Sequence, residues 1–141
     1  TGHRVVQARD GERVASLAGR VTMAPSGLHM VVRQGVVRLT SDPERHSCRP
    51  SIDSLFESLA REYGASVIAC LLTGMGRDGA AGLLEVRRAG GSTVAQDEAT
   101  SVVYGMPREA ALLGAAARVL PLSEIGPAVA ALLRVGAARS R

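Results

Sequence analysis

The residues with the clearest chemical content stand in a glycine-rich run, Gly74-Met75-Gly76-Arg77-Asp78-Gly79, which follows an apolar stretch of strand length and opens a helical pattern. The run satisfies G-x-G-x-x-G, and Asp97 closes the next strand about twenty positions later, the context in which such a loop cradles a dinucleotide pyrophosphate. Taken literally, this predicts an NAD-binding domain. Asp78 opposes that reading. A pyrophosphate would rest on the helix N-terminus, drawn by free N–H groups and the positive dipole end, and a carboxylate just before the third glycine sets a second negative charge beside it. The dipole instead stabilises Asp78 itself as an anion.

An ionised Asp in a tight strand-to-helix loop suits another task. It accepts the N–H of an imidazole, fixes its tautomer and stabilises the imidazolium while that histidine serves as base toward a nucleophile. Gly74, Gly76 and Gly79 permit positive φ and close backbone approach, and can leave N–H groups aimed at a developing oxyanion. A third reading is a plain turn with an N-capping Asp. Spacing alone leaves the three open.

Other reactive side chains are scattered. His3 is terminal, His29 follows a turn and His46 lies in a polar loop; each is a candidate base by residue type only. Cys48, between Ser47 and Arg49, is a nucleophile only if its thiol is acidified, and a loop thiol is ordinarily inert. Cys70 reads as packing within a central strand. Asp97 and Glu98 are neighbouring carboxylates at a strand's carboxyl end; adjacent side chains point apart, so they are expected to shape the loop rather than share acid–base work. Two cysteines build neither a disulfide framework nor a four-ligand zinc site, and they suit a reducing cytoplasm. No metal or cofactor is expected.

The elements that must position these groups follow from periodicity. Strand-type runs occupy about 4–8, 20–24, 28–33 and 36–40, separated by Asp10-Gly11, Pro25-Ser26-Gly27 and Gln34-Gly35, and the last two runs read as a hairpin. From Ile52 the period changes. Ile52, Leu55, Phe56, Leu59, Ala60 and Tyr63 fall on one helical face, with Ser51 placed to cap the start and Gly64 the end. Residues 66–72 form a continuous apolar run, as in a parallel strand covered on both faces. A helix over 80–89, a strand over 93–96, a helix over 107–113, a strand over 118–120 and a helix over 124–134 complete an αβαβαβα order. Such alternation builds an α/β, doubly wound parallel sheet with helices on both faces, here with an inserted β-hairpin in the N-terminal third. Ligands of such sheets bind beyond the carboxyl ends of the strands, where the loops 73–79 and 97–101 lie.

Composition narrows the partners. The chain has 141 residues, enough for one domain, with 46% apolar and 21% charged residues, as in an ordinary globular domain. A formal charge of +4 hints at nucleic acid. All 17 basic residues are Arg, with no Lys, Asn or Trp, which points to GC-rich codon usage. Arg134, Arg139 and Arg141 lie in the last eight residues, so residues 1–133 carry 14 arginines against 13 acids. Three aromatics offer no stacking platform for bases, and no run is long enough to span a membrane. Neither nucleic acid nor membrane insertion is expected.

Residues 72–80, Leu-Thr-Gly-Met-Gly-Arg-Asp-Gly-Ala, resemble the signature of the catalytic domain of CheB-type protein-glutamate methylesterases, chemotaxis enzymes that demethylate receptor glutamates. Met23 to Met30, Arg49 to Phe56 and Ala95 to Ala110 resemble the same family in order and spacing, so the matches run across almost the whole chain. The resemblance implies a serine-type hydrolase of glutamyl methyl esters, with deamidation of receptor glutamines as a related activity and no cofactor. It implies Asp78 as the third member of a Ser-His-Asp triad and the Met75 backbone N–H as an oxyanion donor. Methyl-accepting receptors are the implied partners, and a receiver domain often precedes this one.

The family's nucleophilic Ser lies in a Gly-rich turn after its first strand and its His in a Gln-His-Met stretch; neither motif occurs in these 141 residues. Thr1 in place of Met fits a domain short of its first strands. The chain then reads as the carboxyl-terminal portion of a catalytic domain over 1–135 with a basic tail over 136–141, inactive alone. Missing strands would leave an apolar edge with unpaired backbone groups, which predicts poor solubility or oligomers. The alternative from another class is a non-catalytic relic or interaction module that keeps a half-site surface.

Overall fold

Ser51 adopts an extended conformation, and its hydroxyl accepts the Ser54 N–H at 3.3 Å, so helix α1 (Ile52–Tyr63) starts where the capping residue sets it. Gly64 ends the helix at φ 49°, its N–H bonded to the Ala60 carbonyl. Phe56 is buried on the inner stripe, with Ile52, Leu55, Leu59 and Ala60 partly buried beside it. The computed structural model describes residues 2–139; Thr1, Ser140 and Arg141 lie outside the described residues.

Strands β1 (Arg4–Gln7) and β2 (Arg20–Met23) pair in parallel, with a short 3-10 helix at Val14–Leu17 between them. Strands β3 (His29–Arg33) and β4 (Val36–Thr40) form the antiparallel hairpin expected from Gln34-Gly35. Both turn residues have positive φ, 52° and 70°, the twist that a two-residue hairpin needs. Strands β5 (Ile68–Leu71), β6 (Ser92–Gln96) and β7 (Arg118–Leu120) make a parallel sheet in the order β5-β6-β7. Helices α2 (Ala80–Arg88), α3 (Met106–Leu112) and α4 (Leu122–Arg139) connect or follow these strands.

Alternation along the strands divides the layers. Ala69, Leu71 and Ala95 join Phe56, Leu83, Val86 and Ala110 in one buried cluster under α1, α2 and α3. Val94 points to the other face, where α4 packs on β6 through its buried Ile125 and Ala128. The result is the doubly wound α/β fold with helices on both faces. Among the described residues, β5 pairs with β6 alone, so its other edge is unpaired in this sheet.

Two boundaries move. Gly64–Ser66 forms a 3-10 turn where the apolar run suggested the strand's beginning. Helix α4 starts at Leu122 and continues through Arg139, carried by Ala130, Ala131, Ala137 and Ala138. The described part of the basic segment, 136–139, is thus the exposed last turn of α4. No helix among the described residues is long and apolar enough to cross a membrane.

Candidate active site

The glycine-rich loop leaves the carboxyl end of β5 and is held from one side by the segment after β6. Thr73 donates its hydroxyl to the Val103 carbonyl at 3.0 Å, while the Val103 N–H donates back at 2.9 Å. The Gly74 N–H bonds the Val103 carbonyl at 3.1 Å, and the Met106 N–H bonds the Gly74 carbonyl at 2.8 Å. Beneath them the Thr73 N–H bonds the buried Gln96 side chain at 2.9 Å. This lattice explains the glycines. A Cβ on Gly105 would lie 2.6 Å from the Gly74 carbonyl oxygen, and one on Gly74 would meet the Met106 methyl group. Gly76 and Gly79 both have φ near 90°, and a Cβ on Gly79 would strike Leu71 and Ile52 at 2.6 and 2.8 Å.

Asp78 is 4% exposed, yet it does not cap the helix that it precedes: Gly79 is the α2 N-cap, with no side-chain cap bond. Its carboxylate lies on the N-terminus of α1. Oδ1 accepts the Ser51 hydroxyl at 2.8 Å and the Asp53 N–H at 3.1 Å, and Oδ2 accepts the Ile52 N–H at 2.7 Å. Three donors and the positive end of α1 hold the anion. Oδ2 retains an acceptor position, since a carboxylate has about four.

The N-terminus of α2 is filled by protein groups. The Gly82 N–H donates to Asp53 Oδ1 at 2.7 Å, and the Ala80 N–H to the Arg77 carbonyl at 3.2 Å. A pyrophosphate would have to displace a fully buried carboxylate, which removes the physical basis of the dinucleotide reading.

A cleft of about 580 Å³ opens beside Asp78. It is lined by Met75, Gly76 and Arg77 of the glycine-rich loop, by His46, Ser47 and Cys48, and by Glu109. The Met75 side chain is 85% exposed, and its backbone N–H has no hydrogen-bond partner among the described residues.

The remaining candidates fall into place singly. His29 is buried, its Nδ1 accepts the Ser51 N–H at 3.1 Å, and Nε2 therefore carries the hydrogen that the Pro43 carbonyl receives at 3.0 Å. Both nitrogens are used structurally. His3 is exposed at the chain's start. Partial burial, with the Asp78, Glu44 and Asp53 carboxylates, pushes the Cys48 thiol up, opposite to what an activated nucleophile needs. Burial pushes the Cys70 thiol up as well. Asp97 shapes its loop by accepting the Thr100 N–H at 3.0 Å, and Glu98 is exposed. Among the described residues no group of three or more His, Cys, Asp or Glu converges as a metal site.

Sequence reasoning missed the holders of Asp78. Ser51 was visible as a cap, but nothing in the spacing showed that it donates to a carboxylate 27 positions later. It also missed Asp53, which is fully buried and faces His46 Nε2 at 3.2 Å.

The family model described as CheB methylesterase matches residues 1–129. This chain belongs to the CheB methylesterase family. It is 54% identical over 139 residues to a protein-glutamate methylesterase/protein-glutamine glutaminase of Pseudomonas aeruginosa, covering 96% of this chain and 38% of that relative. It is 52% identical over 130 residues to the protein-glutamate methylesterase FrzG of Myxococcus xanthus, covering 92% and 38%. The chain thus spans under two fifths of these relatives. The crystal structure of the Thermotoga maritima CheB methylesterase catalytic domain superimposes with a TM-score of 0.83 at 35% identity, covering 89% of this chain and 68% of that one. A CheB-type fold agrees with the four sequence blocks: two of them, around Gly74 and Val103, interlock here, and a third supplies Ser51.

Proposed function

We propose that this chain is part of the catalytic domain of a serine-type hydrolase that cleaves glutamyl methyl esters on methyl-accepting chemotaxis receptors, with deamidation of receptor glutamines as its related reaction. The observation that carries this reading is Asp78: a buried carboxylate at the carboxyl end of the parallel sheet, beside an open cleft, held rigid by three donors with one acceptor position left. That position suits the N–H of an imidazole, whose orientation and charge the carboxylate would fix. The imidazole and the serine would come from outside these 141 residues. The unengaged Met75 N–H on the same rim is the oxyanion donor, 85% exposure of its side chain leaving the approach open.

The experiment extends the chain upstream and measures methanol release from methylated receptor. The upstream segment is expected to hold a Gly-rich turn with Ser and a Gln-His-Met stretch. Asp78→Asn in the extended protein is expected to lower turnover by roughly 10³–10⁴, the scale on which a triad loses its correct tautomer. Near-normal turnover in that variant would refute the role of Asp78. The 141-residue chain alone is expected to release no methanol above background; hydrolysis by it would place the nucleophile within these residues.

A further inference from the structure

We propose that Arg77 is the residue with which this cleft reads a substrate carboxylate next to the scissile ester, and that His46 is its positioning residue; the inference rests on the hydrolase reading above. Arg77 Nε donates to His46 Nδ1 at 3.0 Å. Because that nitrogen accepts, the ring hydrogen sits on Nε2, 3.2 Å from Asp53 Oδ2. Asp53 is fully buried, its Oδ1 is taken by the Gly82 N–H, and Oδ2 has no aligned hydrogen bond, only the approaches of His46 and, at 3.9 Å, Arg45. A chain of contacts thus runs from the base of α1 through His46 to the rim of the cleft.

The backbone under His46 is strained to hold it there. Residues Arg45 to Cys48 close a tight turn with two backbone bonds of 3.1 and 2.8 Å, and both central residues are left-handed, His46 at φ 51° and Ser47 at φ 61°. Asn-Gly is the pair that makes such a turn without strain. Here a His occupies the unfavourable position, its Nδ1 accepting from Arg77 and its Nε2 lying 3.2 Å from Asp53 Oδ2; strain retained at a cleft is characteristic of a functional constraint. Arg45 anchors the turn through a two-pronged pair with Glu57 at 2.6 and 2.8 Å.

Arg77, the arginine that lines the cleft, contrasts with the arginines next to other lining residues. Arg45 is paired with Glu57, and Arg108 lies 3.8 Å from Glu109. Asp78 is held by three donors of the α1 N-terminus, away from Arg77. Among the described residues no carboxylate lies within ion-pair distance of Arg77, and its two terminal nitrogens have no partner. A guanidinium that lines a cleft, fixed at Nε with both terminal nitrogens unpaired, suits a carboxylate, which it can grip through two parallel hydrogen bonds. Arg77 immediately precedes Asp78, so an anion held there sits next to the proposed reacting centre. The ligand class is an acidic peptide segment.

The test uses the upstream-extended protein and two peptides that differ only in bearing Glu or Gln beside one glutamyl methyl ester. The KM ratio, Gln-flanked over Glu-flanked, is expected to be about tenfold at low salt and to shrink at high salt. It should fall to about one in Arg77→Gln and lie between in Arg77→Lys, which keeps the charge without the fork. His46→Asn tolerates the left-handed turn but removes the ring that holds Arg77, so its ratio should fall as well. Failure of the unmutated protein to hydrolyse either peptide overturns the hydrolase reading. Hydrolysis of both with a ratio near one, or a ratio that survives Arg77→Gln, overturns the Arg77 assignment alone. A full ratio in His46→Asn overturns the positioning role.

Discussion

Replacing Asp78 by Asn in the 141-residue chain separates its structural role from its proposed chemical one. The best placement of the amide puts its oxygen where Oδ1 stands, keeping the Ser51 hydroxyl and the Asp53 N–H bonded. The NH2 group then faces the Ile52 N–H across a contact that is 2.7 Å in the native chain, donor against donor. Flipping the amide is worse, because the Ser51 hydroxyl and the Asp53 N–H then both lose their acceptor. Leaving one donor unsatisfied costs about 1–3 kcal/mol. Removing a negative charge from a partly buried helix N-terminus costs up to about 2 kcal/mol more. Together the loss is about 1–5 kcal/mol. At about 2.1 cal/mol/K of unfolding entropy per residue, a chain of this length loses about 3 °C per kcal/mol, or roughly 3–15 °C in Tm. Calorimetry at neutral pH and low salt measures this, with Asp97→Asn as the control, since Asp97 serves only a partly exposed turn. A fall of less than about 2 °C, or one equal to the control, would refute the account of Asp78 as the anchor of α1.

Gly105→Ala forces a Cβ to 2.6 Å from a backbone oxygen, so it should cost about 3 kcal/mol and shift the Met75 and Gly76 amide resonances; unchanged spectra would contradict the interlocking of the two loops. The Cys48 thiol is held above its ordinary range, chiefly by burial, so iodoacetamide at pH 8 should label it well below the rate for the unfolded chain, and equal rates would overturn this. Cys70 is likewise raised: the folded state keeps its proton longer than the unfolded state, so its contribution is full below the ordinary thiol range and is lost as pH rises through it. Cys70→Ala should flatten the alkaline decline in Tm. The open edge of β5 should make the isolated chain self-associate in sedimentation, and a clean monomer with a sharp cooperative melt would contradict it.

Local rules carried much of this fold. The capping Ser51, the 3.6-residue stripe to Tyr63 and the Gln34-Gly35 turn located α1 and the hairpin because each depends on neighbours a few residues apart. The extent of α4 escaped, since its last turn is exposed and lacks the periodic stripe that marks a buried helix. Asp78 was legible as an anion in a glycine loop, but neither its burial nor its partner helix was: the α2 dipole, next in sequence, was the expected stabiliser, and α1 supplies the donors instead. The contact between His46 and Arg77 joins positions 31 apart in two loops, and no periodicity relates them.

The amides of Ile52 and Asp53 bond a side chain of the cleft rather than a carbonyl of their own helix. Their protons are therefore built-in reporters of the cleft. Any ligand that shields or draws on the Asp78 carboxylate changes their exchange with solvent deuterium, while amides farther along α1 report only on the helix. Two resonances, followed without a substrate or an assay for turnover, suffice to screen which molecules enter.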